Sequence, residues 1–296
     1  MKTPGSSPFH LHRPALANLS AAAIAGWLLF ASAAAVESPQ ISADVQEDFR
    51  AARAYLRGDG VPKDPAKAYE LMEKAAAGGH PDAIGGLGYF HAAGVVVPQD
   101  PSAAVEWFRK GAEKGSPTAK LNLGLALARG RGVDQDHAAG LEMIDSAAAS
   151  GLPDALYAQG ETYYWGQFGR GVNYVKARQL FEESAAKGYA GAQNNLAVIL
   201  RDGLEVPKDE AKALDLFRHA ALQGNARAQS NLGHLMGVNS ADRTRRVEAL
   251  KWLILASEGK EITAEKTMEE VSATLPADEI AEAKEAAEAF QPAKAS

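Results

Sequence analysis

A short loop near the start of the chain combines residue types that could bind phosphate or a metal ion. Its sequence is GVPKDPAKA, Gly60 to Ala68, and it contains a lysine at Lys63 and a carboxylate at Asp64. Nucleotide loops need a preceding strand with further glycines, or a G-K-[ST] ending, and this loop and the later GRGVDQD have neither. Calcium needs six or more oxygen ligands around one point. Each aspartate of this type stands alone in its own loop, so neither chemistry is predicted.

Other residue patterns that support catalysis or metal binding are also missing from the sequence. No G-x-S-x-G nucleophile motif is present. Two S-x-x-K matches, at Ser184 and Ser257, occur without their companion motifs. The histidines after residue 36 form no H-x3-H pair, and they are His80, His91, His137, His219 and His234. The sequence therefore predicts a protein that is not an enzyme and that has no catalytic residue, no metal site and no cofactor.

Composition narrows the compartment and the class of partner. The net charge is -6, and a surplus of acidic residues disfavours nucleic acid as a partner. The chain has no cysteine, so disulfides, thiol nucleophiles and cysteine zinc sites are impossible. The hydrophobic fraction of 46% is ordinary for a globular protein.

The N-terminus has the pattern of an export signal. Lys2 and Arg13 precede an uncharged stretch with the apolar centre AAAIAGWLLFASAAA. We predict a signal peptide over residues 1–35, with a retained membrane anchor as the alternative, since the stretch approaches the length of a spanning helix. The expected location is the bacterial periplasm. The alternatives are secretion and anchoring in the inner membrane by an uncleaved segment.

The opening loop recurs along the chain, which indicates an internal repeat. Related stretches begin at Val96, Gly132, Gly171 and Glu205. Their aspartate column is spaced by 36, 36, 37 and 36 residues and consists of Asp64, Asp100, Asp136, Asn173 and Asp209. Columns of alanine, glycine and bulky residues keep the same step. About six units therefore run from residue 48 to residue 258.

Each unit has the pattern of two helices. Asp100 and Pro101 have the types of an N-cap and a first-turn residue, as do Asp64 and Pro65. Glycines at 94, 130 and 166 mark the ends of first helices. The recurring small residues predict closely packed helix pairs.

The unit A-x3-LG-x2-Y…G-x-GV-x2-D-x2-KA-x2-W-x3-AA-x2-G resembles the Sel-1-like repeat, a relative of the tetratricopeptide repeat. The resemblance covers about 210 of the 296 residues. It implies an all-α fold, a right-handed α-solenoid of two-helix units with a concave face used in protein–protein interaction. Residues 259–290 have the pattern of two further amphipathic helices that cap the solenoid. Residues 36–47 and 291–296 are expected to be mobile.

The resemblance implies a non-enzymatic scaffold or regulator in the bacterial envelope. The expected partner is an envelope or signalling protein, such as a sensor kinase or a component of an envelope polysaccharide pathway. If the tetratricopeptide geometry applies, first helices line the concave face. The predicted partner-binding residues are then Tyr89, Leu125, Tyr157, Glu161, Tyr164, Trp165, Asn194, Val198 and Arg201.

The fourth unit, LYAQGETYYWGQFGRGVNY, is unusually rich in aromatic residues. Such residues can anchor an interface, and they could equally fill the core, as expected for Tyr163 and Phe168. The alternative function is binding of cell-wall glycan or exopolysaccharide on the rings of Tyr157, Tyr164 and Trp165. A column of asparagines, Asn122, Asn195 and Asn231, is expected to make structural hydrogen bonds, with binding of a peptide backbone as the alternative.

Overall fold

A computed structural model describes residues 41–237 and 240–293. The predicted signal peptide and residues 294–296 lie outside these ranges. The described residues form fourteen α-helices and one 3-10 turn, and they contain no strand. This confirms the predicted all-α solenoid.

The first twelve helices form six consecutive pairs of a first and a second helix, and two further helices follow, of which the last packs on the twelfth. In chain order they are α1 (Ala43–Arg57), α2 (Pro65–Ala77), α3 (Pro81–Ala93), α4 (Pro101–Glu113), α5 (Pro117–Arg129), α6 (His137–Ala148), α7 (Pro153–Trp165), α8 (Tyr174–Ala186), α9 (Ala190–Asp202), α10 (Glu210–Leu222), α11 (Ala226–Gly237), α12 (Arg243–Glu258), α13 (Ile262–Ser272) and α14 (Ala277–Glu288). The 3-10 turn, Gln167–Gly169, lies in the long loop of unit four.

The loop Gly60 to Ala68 contains the start of α2. The Asp64 side chain accepts a hydrogen bond from the Lys67 backbone N–H over 3.0 Å, and Pro65 occupies the first turn. Asp100 caps α4 in the same way. These bonds satisfy backbone donors that have no partner within the helix, so the recurring aspartate sets where each second helix begins.

The predicted glycine stops are also present. Gly94, Gly130 and Gly166 end their helices with φ of 67°, 66° and 61°. Glycine adopts this left-handed conformation without steric cost. Each first helix therefore ends at a sharp turn into its loop.

Small residues allow each helix pair to approach closely. A side chain at Gly88 would place its Cβ 2.6 Å from the Phe108 ring of the paired helix. Ala104, on the same interface, is 2% exposed. The apolar core continues from pair to pair along the array, as expected for a solenoid whose units contact mainly their neighbours.

First helices line the inner, concave side of the array. α3 contacts α5, α5 contacts α7 and α11 contacts α13, although each pair of helices belongs to two successive units. Second helices pack mainly on the first helices before and after them. The inner side is therefore formed by α1, α3, α5, α7, α9, α11 and α13. No helix in the described residues is long and apolar enough to cross a membrane.

Both ends differ from the predicted boundaries. α1 begins at Ala43, within the segment expected to be mobile, because Ser42 caps it and Val45 packs against Gly78. At the other end, the Ala293 N–H donates to the Leu222 carbonyl over 2.8 Å. Residues 291–293 therefore return to the solenoid instead of extending from it.

Candidate functional site

Five side chains of units four and five form a cluster on the concave side. Asp154, Tyr157, Glu161 and Trp165 follow one another at steps of three or four residues along α7 and so share one face of that helix. Tyr189, at the start of α9, packs against Tyr157 with ring centroids 5.0 Å apart. We call these five residues the unit-four cluster.

Glu161 is held by its neighbours on the same helix. The Tyr157 hydroxyl donates to Glu161 Oε1 over 2.8 Å, and Trp165 also donates to this carboxylate. Burial raises the pKa of Glu161, and the Tyr157 hydrogen bond and two arginines only partly offset this effect. Glu161 therefore carries a charge that the protein compensates incompletely.

Asp154 is the second carboxyl of the unit-four cluster and is more deeply placed. It is 4% exposed, and its Oδ1 atom has no hydrogen-bond partner. Burial raises the pKa of Asp154 to about 7, against the lowering effects of its backbone N–H and of Arg57. A buried oxygen without a hydrogen bond is costly, so this residue reduces the stability of the fold at neutral pH.

Tyr189 lies within electrostatic range of both carboxyls. Burial raises the pKa of the Tyr189 hydroxyl, and Asp154 and Glu161 raise it further. Its ring and that of Tyr157 converge over Gly191, where an added Cβ would lie 2.8 Å from Tyr189 and 3.3 Å from Tyr157. The glycine thus lets the two rings close over the start of α9.

Arginines from three other units act on the two carboxyls. Arg57 of α1 influences Asp154, although three units separate these residues in sequence. Arg227 of α11 and Arg129 of α5 influence Glu161. Residues so far apart in the array can approach only across the groove, so the unit-four cluster faces its interior.

The two helices that carry the unit-four cluster, α7 and α9, lack a side-chain N-cap. Within α1–α12, every helix except α7 and α9 has a side-chain cap. Leu152 and Tyr189 occupy the positions where Ser116 and Asn225 cap other first helices. A lost cap costs about 1 kcal/mol. Such departures from local rules, together with the buried Asp154 oxygen, concentrate at functional sites.

The groove also contains a small apolar slot at its N-terminal end. It is lined by the rings and stems of Phe49, Leu56, Met72 and Arg53, with Arg57 and Asp82 beside it. Burial lowers the pKa of both arginines. Arg57, which acts electrostatically on Asp154, is one of the residues that line the slot.

The structure brings together three of the nine predicted partner-binding residues, namely Tyr157, Glu161 and Trp165, which are half-buried. The other six are buried in the single chain: Tyr89, Leu125, Tyr164, Asn194, Val198 and Arg201. Val198 has no exposed surface, and Asn194 is 1% exposed. Asn194, Val198 and Arg201 lie on α9, which packs mainly on the second helices α8 and α10. Little of these six side chains is therefore left on the groove surface.

Two of the buried residues belong to a polar network. Asn231 donates to Asn194 Oδ1 over 2.9 Å, and Asn194 donates to Asn195. Arg201 donates to both oxygens of Asp202. The structural interpretation of the asparagine column therefore holds for Asn195 and Asn231.

The remaining aromatic residues of unit four are structural. Tyr164 is 5% exposed and packs edge-on against Trp165 and Tyr174. The Arg170 guanidinium stacks on Tyr163 and also pairs with Asp145 of the preceding unit. These contacts fix the longer loop of unit four against unit three.

Sequence reasoning missed Asp154, Tyr189 and the arginines that reach them. Asp154 shares its column with Asp82, and residue type alone does not distinguish the two. Tyr189 had a usable signal, because an aromatic residue replaces the polar cap of that column. The approach of Arg57 to unit four depends on the curvature of the array and has no local sequence signal.

Two other features of the described residues are not part of this site. A shallow depression of about 420 Å³ lies outside the concave face, at the loop edge between Val172, Val175 and Glu205. Among the described residues, no group of three or more His, Asp or Glu side chains could hold a metal ion.

Comparison with known proteins identifies the repeats. Six consecutive segments match the Sel1 repeat, at residues 49–80, 81–116, 117–152, 153–189, 190–225 and 226–260. The crystal structure of a Sel1 repeat protein from Oxalobacter formigenes is 30% identical with a TM-score of 0.61, covering 77% of this chain and 65% of that one. The chain thus spans less than two thirds of that relative.

Two solved structures from Pseudomonas aeruginosa share the fold at lower identity. Immunity protein PA5088 is 19% identical with a TM-score of 0.55, covering 80% of this chain and 90% of its own. Immunity protein Pa5087 is 19% identical with a TM-score of 0.54, covering 74% and 85%. No curated protein matches the chain at a significant level.

Proposed function

Since the chain belongs to the Sel1 repeat family, whose members generally act as protein-interaction scaffolds, we propose that it binds a partner protein on its concave face at units four and five. The proposal contains no catalytic step, in keeping with a repeat fold that is typically non-catalytic. The partner contacts the half-buried members of the unit-four cluster.

One observation supports this location above all. The unit-four cluster combines half-buried aromatic rings with carboxyls, and it lies where two helix caps are lost and a carboxyl oxygen is left without a hydrogen bond. Aromatic residues with a polar tip are frequent anchors of protein interfaces. Local costs of this kind are retained where function requires them.

Site-specific photo-cross-linking in the native cell tests the location. A benzophenone amino acid replaces Trp165, on the concave face, in one variant. In the matched control it replaces Glu183, an exposed residue on the second helix of the same unit. We expect a protein adduct from position 165 that is absent from position 183.

The two positions separate the possible outcomes. Adducts from position 183 alone would place the interface on the outer side and contradict the proposal. Adducts of equal pattern from both positions would indicate random collision and would also count against it.

The cellular setting is a further part of the proposal. The N-terminal sequence supports export, and family resemblance supports a role with an envelope signalling protein or polysaccharide pathway. A fusion of the chain to alkaline phosphatase, which is active only after export, tests the compartment. An inactive fusion at normal expression would contradict it.

Glycan binding is the second candidate, because the Tyr157 and Trp165 rings retain exposed surface on the concave face. Aromatic rings of this kind can stack on sugar rings. Replacing Tyr157 and Trp165 by alanine is then expected to abolish retention on cell-wall glycan, whereas replacing Tyr174 is not. Equal retention of the wild type and the variants would eliminate this candidate.

A further inference from the structure

We propose that the unit-four cluster recognises a lysine or arginine side chain of the partner, whose cationic head enters beside the Tyr189 hydroxyl between Asp154 and Glu161. This inference rests on the proposed function for the identity of the partner as a protein. It adds the chemistry of the contact, which the binding location alone does not specify.

The buried atom of the cluster that lacks a hydrogen-bond partner is an acceptor. In the groove the orphaned buried atom is Asp154 Oδ1, which can only accept a hydrogen bond when the carboxyl is ionised. A ligand that satisfies it must donate. Lysine and arginine side chains donate and carry the charge that a carboxylate favours.

The arginines of the protein compensate the charge of the two carboxylates only in part. Arg57 acts on Asp154, and Arg129 and Arg227 act on Glu161, yet the pKa of each carboxyl remains above its ordinary value because burial outweighs these arginines. The protein's own cations therefore do not balance the cost of desolvation. An added cation would stabilise both carboxylates.

Aromatic residues lie beside the carboxyls. Tyr157 and Trp165 donate to Glu161, Tyr189 lies within electrostatic range of both carboxyls, and the Tyr157 and Tyr189 ring centroids are 5.0 Å apart. Aromatic faces attract lysine and arginine through cation–π interactions, which become stronger as water is excluded. Rings and carboxylates together favour a cation over a neutral or acidic group.

Titration of the full chain with small blocked amino acids tests the proposal. The probes are N-acetyl-lysinamide and N-acetyl-argininamide, with N-acetyl-glutamic acid amide and N-acetyl-norleucinamide for comparison. The readout is the NMR shift of the Gly191 backbone amide at pH 8, where Asp154 is ionised. We expect saturable shifts with the two cationic probes.

Four variants test which side chains make the contact. Asp154→Asn and Glu161→Gln are each expected to weaken binding of the cationic probes by about tenfold, as is typical of a lost charge-assisted hydrogen bond. Glu183→Gln, which makes the same charge change on the outer side of unit four, is expected to leave binding unchanged. Asp154→Glu retains the charge, and it should bind more tightly than Asp154→Asn.

Several results would overturn the proposal. These are tighter binding of the glutamic acid probe, equal binding of the norleucine probe, and no saturable shift with any probe. Equal weakening by Glu183→Gln would show a general effect of net charge and would also overturn it. If Asp154→Asn fails to fold, Glu161→Gln alone decides, because its side chain is half-buried and retains both neighbouring donors.

The outcome is independent of the cross-linking result. If a partner is cross-linked at position 165 but no cationic probe binds, the proposed interface is supported and the proposed recognition of a lysine or arginine side chain is contradicted. Cation binding without any concave adduct would retain the cation site and contradict the proposed interface.

Discussion

The Tyr157 hydroxyl donates a hydrogen bond to Glu161 one turn further along α7, and the two oxygen atoms are 2.8 Å apart. Tyr157 also packs on Tyr189 of the next unit. The bond therefore links a carboxyl of unit four to the aromatic contact between units four and five.

Tyr157→Phe should distinguish the contribution of the Tyr157 hydroxyl to stability from that of its ring. The ring contacts remain, and the Glu161 carboxylate loses a donor, so we expect the pKa of Glu161 to rise further. The free energy of unfolding should fall by about 1.5 to 3 kcal/mol, the usual effect of a hydrogen bond to a charged group. NMR titration of Glu161 and urea denaturation measure these effects. Tyr174→Phe is the control, and an unchanged Glu161 titration in Tyr157→Phe would contradict the role given to the bond.

Asp154→Asn should change how stability depends on pH. The folded-state pKa of about 7 exceeds the ordinary value of 3.8, so the folded state binds a proton more tightly than the unfolded chain. The wild type therefore loses stability from this group as pH rises from about 4 to 7, by up to about 4 kcal/mol. The neutral variant lacks this loss. Its free energy of unfolding should therefore increasingly exceed that of the wild type between about pH 4 and pH 7, and the difference should be constant at higher pH.

Urea denaturation at pH 4, 5.5, 7 and 8 measures the Asp154 effect. Asp134→Asn, at an exposed loop position, is the control and should run parallel to the wild type. If the free energy of unfolding of Asp154→Asn also ran parallel to that of the wild type over this pH range, the buried carboxyl with a raised pKa would be contradicted.

Val96→Gly should stabilise the protein. Val96 is 51% exposed and has φ of 71°, whereas the corresponding Gly60 and Gly132 have φ of 73° and 71°. A β-branched residue is strained there, and relief of this strain is expected to add about 1 kcal/mol to the free energy of unfolding. Thermal denaturation measures the change. Val172→Gly, at another exposed valine whose φ is not positive, should destabilise, and a loss of stability in both variants would contradict the strain argument.

Breaking the ion pair between α12 and α14 should loosen the C-terminal helices. Arg246 donates to both oxygens of Glu279 over 2.6 and 3.0 Å, and Glu279 is 3% exposed. Arg246→Met leaves that carboxylate buried without its main partner, so amide exchange in α14 should accelerate by about tenfold or more. The double variant Arg246→Met with Glu279→Leu should regain protection, whereas equal loss in both variants would show that packing rather than charge is affected.

Much of the fold could be predicted because its signals are local. A cap such as Asp64 acts on N–H groups within three residues, and a stop such as Gly94 acts through its own φ angle. The ordered start of α1 and the returning tail near Ala293 were missed because they depend on contacts of Val45 with Gly78 and of Ala293 with Leu222. These contacts join residues that are far apart in the sequence.

The sequence by itself determined the repeat length, the helix pairs and the aromatic content of unit four, since periodicity and capping depend on residues close in the chain. Only the tertiary structure decided which of those residues face the groove. Val198 is fully buried and Glu161 is half-buried at corresponding positions of successive units, because the exposure of a first-helix side chain depends on how closely neighbouring units pack together. The same curvature places Arg57 within electrostatic range of Asp154 across three units, which no spacing in the sequence predicts.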